Sequence, residues 1–307
     1  MSRLIYFVTE DRYITPSPGN SYIENIFLED ELLGDALADL GYMYKRASWR
    51  DSSIDWENAE YVLIRTTWDY FDYLNEFNQW LQRLPSKACM NPKELISWNT
   101  DKHYLLDLAQ KGIQIIPSTI IPKQHPYPLS QWATELKHEQ IVVKPTIAGA
   151  ARLTFRLEEK QIEAFNPEFA KLNAQEDFIL QPFVPSVTNF GELSLMVLGG
   201  KCTHAVQKKV KEGDFRVQDD FGGTVHHFTL TADLVELAEM VINLIQPKPL
   251  YGRVDILRND TDQWMVSEVE LIEPELWFRT APNMVKYLAM AIHTHIQDHH
   301  ENHSNPQ

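Results

Sequence analysis

The stretch VSEVELIEPELWF, residues 266–278, places Glu268 and Glu270 two apart in an alternating, strand-like run. Side chains two apart on a strand project from one face, and carboxylates that close repel unless water or a cation separates them. Upstream, YGRVDIL carries Arg253 and Asp255 at the same spacing, and the turn RNDTDQ makes the two runs antiparallel neighbours. Asp255, Glu268 and Glu270 can therefore converge. A hard divalent ion such as Mg2+ takes oxygen ligands and keeps water and phosphate oxygens as the remainder. An Asp and two Glu thus suit Mg2+ with a nucleotide better than Zn2+, which prefers Cys and His. The competing reading is exposed acids on a sheet edge. Glu273 and Glu275 lie past the alternation, around Pro274, and either line an entrance or face water.

Several cations stand where an anionic ligand would need them. Lys144 interrupts the apolar run IVVKP, as a phosphate ligand or as the solvated side of an amphipathic strand. Gly149 lies in IAGAA, where small residues either let backbone N–H groups approach a phosphate or make an ordinary tight turn; no GK[ST] follows, so this is not a P-loop. KEGDFRVQDDFGGT, with Lys208 and Lys209 just before it, joins these cations and Lys211 and Arg216 to flexible glycines, reading as a loop that closes on an anion or as a solvated surface loop. TTWDYFDY puts Trp68, Asp69 and Tyr70 just past Arg65 at the end of a strand, where α/β sheets bind ligands; aromatic packing is the alternative. The histidine-rich tail, HTHIQDHHENHSNPQ, reads as a solvated terminus, with capture of a stray metal ion as the alternative.

The elements that must position these residues follow from periodicity. LIYFVT (4–9), a helix over 24–40 stopped by Gly41, and YVLIR (61–65) predict a parallel α/β layer, without the glycine fingerprint of a dinucleotide site. Asn99 or Thr100 caps a helix closed by Gly112, and a helix near 130–138 precedes the strands IVVKP and FILQPFV. ELSLMVLGGKCTHAVQKKV is a hairpin turning at Gly199-Gly200; a helix over 231–245, the two acidic strands and a last helix complete the chain.

The 307 residues allow two or three domains, and 44% hydrophobic with 23% charged residues predicts a sizeable core. A net charge of −15 without a Lys/Arg-rich block argues against a nucleic-acid partner. No run reaches the ~20 apolar residues of a membrane helix, so no membrane partner is expected. Two cysteines, Cys89 and Cys202, and no secretory signal point to a reduced, cytoplasmic setting.

Eight short motifs, in the order DK, VVKP, small-residue loop, QPFV, GELSL, GDFR, RVD and E-x-E, together resemble the ATP-grasp superfamily over roughly residues 95–280. The GDFR…GG segment is similar to the branch of ribosomal-protein S6 glutamate ligases and prokaryotic glutathione synthetases. The stretch from WDY to ELIEPEL looks most like the D-cycloserine-forming ligases. The resemblance implies an α/β (α+β) ATP-grasp fold. Residues 1–95 would form a Rossmann-like parallel-sheet domain, 96–183 a central subdomain, and 184–307 a C-terminal subdomain with the metal site, the last two clamping ATP. It implies that Lys102 reaches the nucleotide phosphates, Lys144 contacts phosphate and adenine, and Gly149 belongs to a loop over the phosphates. Gln181, Pro182, Phe183 and Val184 would hold adenine by their backbone, and Glu192 the ribose hydroxyls. Lys208, with Lys209 and Lys211 as alternatives, and Arg216 would stand beside phosphate and substrate. Arg253 would steady the transferring phosphoryl group, and Asp255, Glu268 and Glu270 would ligate Mg2+, or Mn2+ in its place. The last metal position is often Asn in the superfamily and is Glu270 here.

The activity so implied is ADP-forming ligation of a carboxylate, on a small molecule or a peptide, to an amine or related nucleophile through an acyl phosphate, with a homodimer compatible. A nucleotide-binding module without turnover and a phosphotransferase are the rival readings. Arg65, Trp68, Asp69 and Tyr70 are the expected part of the substrate pocket.

Overall fold

The computed structural model describes residues 3–136, 138–211 and 222–304. Three sheets follow one another along the chain. The first is parallel, ordered β2 (Tyr42–Ser48), β1 (Arg3–Thr9), β3 (Tyr61–Thr66). Helix α1 (Ser21–Ala38) crosses over it, and the Asn20 side chain caps it by accepting the Ile23 N–H. The helix buries Ile26, Leu33 and Leu37. Periodicity predicted this helix and two of the strands; β2 carries Lys45 and Arg46 and lacks a clear apolar alternation, so it was not expected.

After β3 come α2 (Leu74–Arg83), α3 (Lys93–Asn99) and α4 (Tyr104–Gln110). The second sheet is antiparallel, ordered β4 (Thr119–Ile121), β7 (Phe178–Pro182), β5 (Gln140–Pro145), β6 (Phe155–Glu158). Helices α5 (Leu129–Leu136) and α6 (Glu159–Asn173) pack on it around Ile121, Ile141 and Phe178. After α7 (Ser186–Asn189), the third sheet is ordered β10 (Thr224–Phe228), β9 (Lys201–Lys209), β8 (Glu192–Leu198), β11 (Tyr251–Arg258), β12 (Trp264–Glu270), all antiparallel. Helix α8 (Ala232–Asn243) covers one face of it. The last helix, α9 (Val285–Ser304), packs between this sheet and α1.

Two sequence expectations change here. Asn99 is not a helix cap: it ends α3, buried, with its Nδ2 donating to Val269 O (2.8 Å) and its Oδ1 accepting the Leu271 N–H (2.7 Å). Together with the Tyr104 hydroxyl, which accepts the Val269 N–H at 3.1 Å, it satisfies the outer edge of β12. Residues 95–113 therefore pack with the third sheet, although they precede the second in sequence. The histidine-rich tail is likewise not solvated at its start: the last helix, expected over NMVKYLAMAIHTHI, runs on into it as α9, buries Ile292 and Ile296, and brings His293 Nδ1 within 3.0 Å of the Tyr42 hydroxyl. Among the described residues no helix is long and apolar enough to cross a membrane.

Candidate active site

Alternation along the third sheet sorts its residues onto two faces. One face is apolar throughout, with Leu193, Leu195, Val254, Ile256 and Val269 under α8 and α4. The other is apolar only at its ends. Met196, Val206 and Tyr251 meet α9 at one end, and Leu257 and Met265 close the other. Between them stand Glu192 and Ser194 of β8, Lys208 of β9, Arg253 and Asp255 of β11, and Glu268 and Glu270 of β12. The pairing is Arg253 opposite Glu270 and Asp255 opposite Glu268. The next pair is Ile256 with Val266, so Ser267 is the extra residue of a β-bulge. Without it, Val266 would share the face of Glu268; the bulge turns Val266 into the core and lets Ser267 donate to Glu192 (3.0 Å). Gly191 immediately precedes β8 at φ +101, where a Cβ would stand 2.2 Å from Lys208 O, so only glycine admits the close strand contact that sets Glu192 opposite Lys208.

These groups form a dense buried network. Arg253 donates to Asp255 from Nε (2.9 Å) and Nη2 (2.8 Å) and also to Glu270. Lys208 lies 2.5 Å from Glu192 and 3.3 Å from Asp255, and Ser194 donates to Asp255 at 2.6 Å. Lys102 Nζ donates to Ala148 O (2.7 Å) and lies 3.1 Å from Glu268. Burial alone would raise Asp255, but Arg253 and Lys208 outweigh it and hold the group below the usual carboxylate range. Burial likewise opposes ionisation of Glu268, and Lys102 and Lys144 outweigh it, so its pKa falls. Glu270 goes the other way: burial, with Asp255 and Glu268 nearby, pushes it up to about 7 despite Arg253. Burial lowers the pKa of Lys144, and its side chain makes no hydrogen bond or ion pair among the described residues. Trp277, at φ +46, lies beneath this network, with Arg253 5.0 Å and Lys208 5.6 Å from its ring centroid.

The network opens onto a cavity of about 380 Å³ between the second and third sheets. At one end Ile116, Val142, Val184 and Leu257 give the cavity an apolar lining. Gln181 to Val184 run along it; the Phe183 N–H is spent on Gln140 O (2.9 Å), whereas the Val184 N–H has no protein acceptor among the described residues. Lys102, Lys144, Ala148 and Gly149 line the middle. At the far end stand Arg12, Tyr13, Tyr22, Trp68 and Phe71 from the first sheet's loops, with Glu273 and Glu275 opposite. Tyr13, Tyr22 and Trp68 form an aromatic wall, with ring centroids 5.6–6.4 Å apart, and the Trp68 indole N–H donates to Glu273 O at 3.1 Å. Burial, then the charges of Glu270 and Glu268, raises Glu273 well above the usual carboxylate range.

Most of the sequence-derived residues therefore meet in one cavity, including Lys208 in preference to Lys209 and Lys211, which are exposed. Arg216 lies outside the described residues. The expected substrate residues divide. Trp68 lines the cavity, whereas Arg65 is buried beneath it against Asp30 (2.8 Å). Asp69 is engaged by Trp49 Nε1 (2.9 Å) and Arg50 (3.0 Å), and Tyr70 packs on Phe77 in the core. Trp68, Asp69 and Tyr70 lie past the end of β3 in a turn closed by the Tyr70 N–H on Thr67 O (3.0 Å), and a turn sends successive side chains in different directions. Arg12, Tyr13, Tyr22, Phe71, Ser267 and Trp277 were not anticipated. The signal for the first two was available: they follow β1 at the carboxyl end of a parallel strand, where such sheets bind ligands.

Among the described residues no three His, Cys, Asp or Glu groups form a ready-made metal cage, since each acid of the trio is turned onto a cation. The donor set still fits Mg2+: three carboxylates crowd one sheet face with no thiolate or imidazole.

Known proteins resemble this chain in both sequence and fold. Residues 5–91 match the family described as D-cycloserine synthetase DcsG, N-terminal domain, and residues 104–268 match prokaryotic glutathione synthetase, ATP-grasp domain. The chain is 31% identical over 261 residues to the cycloserine biosynthesis protein DcsG of Streptomyces lavendulae, covering 79% of this chain and 85% of that protein. The crystal structure of D-cycloserine synthetase DcsG superposes with a TM-score of 0.81 at 25% identity, covering 94% of this chain and 98% of that one. D-alanine–D-alanine ligase from Bacillus anthracis shares the fold at 14% identity, with a TM-score of 0.67 over 98% of this chain and all of that one (100%).

Proposed function

The chain belongs to the ATP-grasp family of ligases, and on that premise we propose that it couples ATP cleavage to ADP and phosphate with joining a small-molecule carboxylate to an amine. The reading rests above all on one observation: Asp255, Glu268 and Glu270 share a sheet face in the same cavity as Lys102 and Lys144, with an apolar lining at one end and an aromatic wall at the other. The apolar end takes the base, with the Val184 N–H free to meet a ring nitrogen, and Glu192 takes the ribose. Lys102 and Lys144 neutralise phosphates, and Lys144 has no protein ion pair to break first. Asp255, Glu268 and Glu270 would hold Mg2+, which when bound supplies charge neutralisation on the phosphates. The substrate carboxylate takes the γ-phosphoryl group at the aromatic end, giving an acyl phosphate. The amine then attacks the acyl carbon, the bond to phosphate breaks, and Arg253 stabilises the charge that develops.

Because the chain is similar to a D-cycloserine synthetase, the reading includes a cyclising version, with carboxylate and nitrogen in one molecule. ATP as substrate and two unbridged cysteines support a cytoplasmic setting. The test is ATP turnover with Mg2+ across amino acids and small carboxylic acids, with and without amines, and mass spectrometry of the products. ADP and phosphate should form one-to-one with a ligated product, and Glu268→Gln should abolish this while circular dichroism stays unchanged. Full activity in that variant overturns the assignment. A stable phosphorylated product in phosphorus NMR would instead indicate a phosphotransferase, and tight ATP binding without ADP a regulatory module.

A further inference from the structure

The turn between β3 and α2 faces two ways. It is built by consecutive backbone bonds, Tyr70 N–H to Thr67 O (3.0 Å) and Asp72 N–H to Asp69 O (3.1 Å). It sends Trp68 into the far end of the cavity, pinned through its indole to Glu273 O. Three and four residues later it sends Phe71 and Asp72 to the small-residue loop between β5 and β6. A Cβ on Gly149 would stand 2.8 Å from Phe71 Cε1 and 3.2 Å from Cδ1, so the ring rests on the glycine backbone. Arg152 reaches Asp72 from Nε (3.5 Å) while its Nη1 and Nη2 donate to Glu176, each at 2.9 Å.

The loop itself is held in an unusual shape. Ala150, Ala151 and Leu153 have φ of +48°, +55° and +47°, a conformation that residues with a side chain keep only when their surroundings impose it. Lys102 holds the stem, with its backbone N–H on Thr146 O (2.9 Å) and its Nζ on Ala148 O. The tip is held from the other side of the cavity by Phe71 and Asp72.

We propose that Phe71 and Asp72 are positioning residues that latch the loop at 146–154 over the phosphate side of the cavity, so that its closure is tied to the substrate end through Trp68. This rests on reading the loop as the cover of the ATP phosphates. The physical need is clear: an acyl phosphate is lost to water unless the site is closed. The latch is also weak enough to release. Asp72 is half exposed and its ion pair is long, and the apolar part is one ring on one glycine. Because Trp68 and Phe71 share a short hydrogen-bonded turn, a substrate seated on the aromatic wall and a closed loop favour the same placement of that turn.

Two measurements on the full chain test this. Hydrogen exchange of the segment 146–154 in the resting protein reads the latch without reference to catalysis. Asp72→Lys, which turns the pair with Arg152 into repulsion, and Gly149→Ala should both raise exchange there, by about two- to fivefold. The second readout is ADP formed per ligated product, which should rise by a similar factor in both variants while the KM for ATP changes less. Phe71→Leu, by shortening the ring, should restore part of the coupling to Gly149→Ala. Unchanged exchange in both variants overturns the latch, and raised exchange with an unchanged ADP-to-product ratio overturns its coupling to substrate. Absence of any ligated product from the unaltered protein would count against the ligase reading, with exchange still deciding the latch.

Discussion

At the scale of single residues, the site works by giving almost every charge a partner. Arg253 grips Asp255 with two donors and reaches Glu270 with one of them, above the Trp277 ring. A lysine would keep the charge but not the planar fork, so Arg253→Lys should lower kcat by about 10²-fold, with a smaller change in the KM for ATP, in steady-state kinetics. Lys144 is the contrasting case, a half-buried cation without a protein ion pair among the described residues. Lys144→Met should raise the KM for ATP by about ten- to a hundredfold, the worth of a charged hydrogen bond, at unchanged thermal stability. Arg65 has the reverse profile. It is buried against Asp30, away from the cavity, so Arg65→Met should cost about 3 kcal/mol of stability in denaturant titration and leave substrate KM unchanged. Sequence reasoning placed Arg65 with Trp68 because they are neighbours on the chain; the fold sends them in opposite directions.

At the scale of elements, the acidic strand β12 depends on what closes its outer edge. Asn99 and Tyr104 satisfy Val269 and Leu271 on one side of the bulge, while Gln114 and Ile116 both bond Val266 on the other. Asn99→Ala would leave a buried carbonyl and a buried N–H without partners, so it should lower stability by about 3 kcal/mol in calorimetry and reduce activity by loosening Glu268 and Glu270. The loop that carries Trp277 is held similarly from a distance, since the buried Glu29 of α1 accepts the Phe278 and Arg279 N–H groups at 2.8 and 3.0 Å. Four strands of the third sheet, β8, β9, β11 and β12, were legible because apolar and polar residues alternate along them; β10, TVHHF, was not expected. The bulge at Ser267 was not, because nothing local distinguishes an extra residue from a regular one.

At the scale of the whole molecule, α9 and α1 join the first sheet to the third in one core that includes Ile5, Leu33, Met196, Tyr251 and Leu288. His204 sits beside this core, 4% exposed, with its Nε2–H donating to Leu276 O at 2.7 Å. Burial lowers its pKa to about 4, so the folded protein keeps it neutral where the unfolded chain would protonate it. Its contribution is complete above the unfolded value near 6.5 and is lost as pH falls toward 4. The loss should reach about 3 kcal/mol, seen as a falling Tm between pH 6.5 and 4 that flattens in His204→Leu.

The sequence by itself determined the order of the elements, the alternation that puts Arg253 with Asp255 and Glu268 with Glu270, and the hairpin that faces them. Those features are local: they depend on residues two apart or on one short turn. Only the tertiary structure decided that Lys208 enters the cavity, that Trp68 does and Tyr70 does not, and that Arg12 and Trp277 complete the two sides. Those choices hang on contacts such as Glu29 with Phe278 and Asn99 with Leu271, between residues far apart on the chain. Burial of a side chain is a property of the assembled sheets, and no stretch of sequence carries it alone.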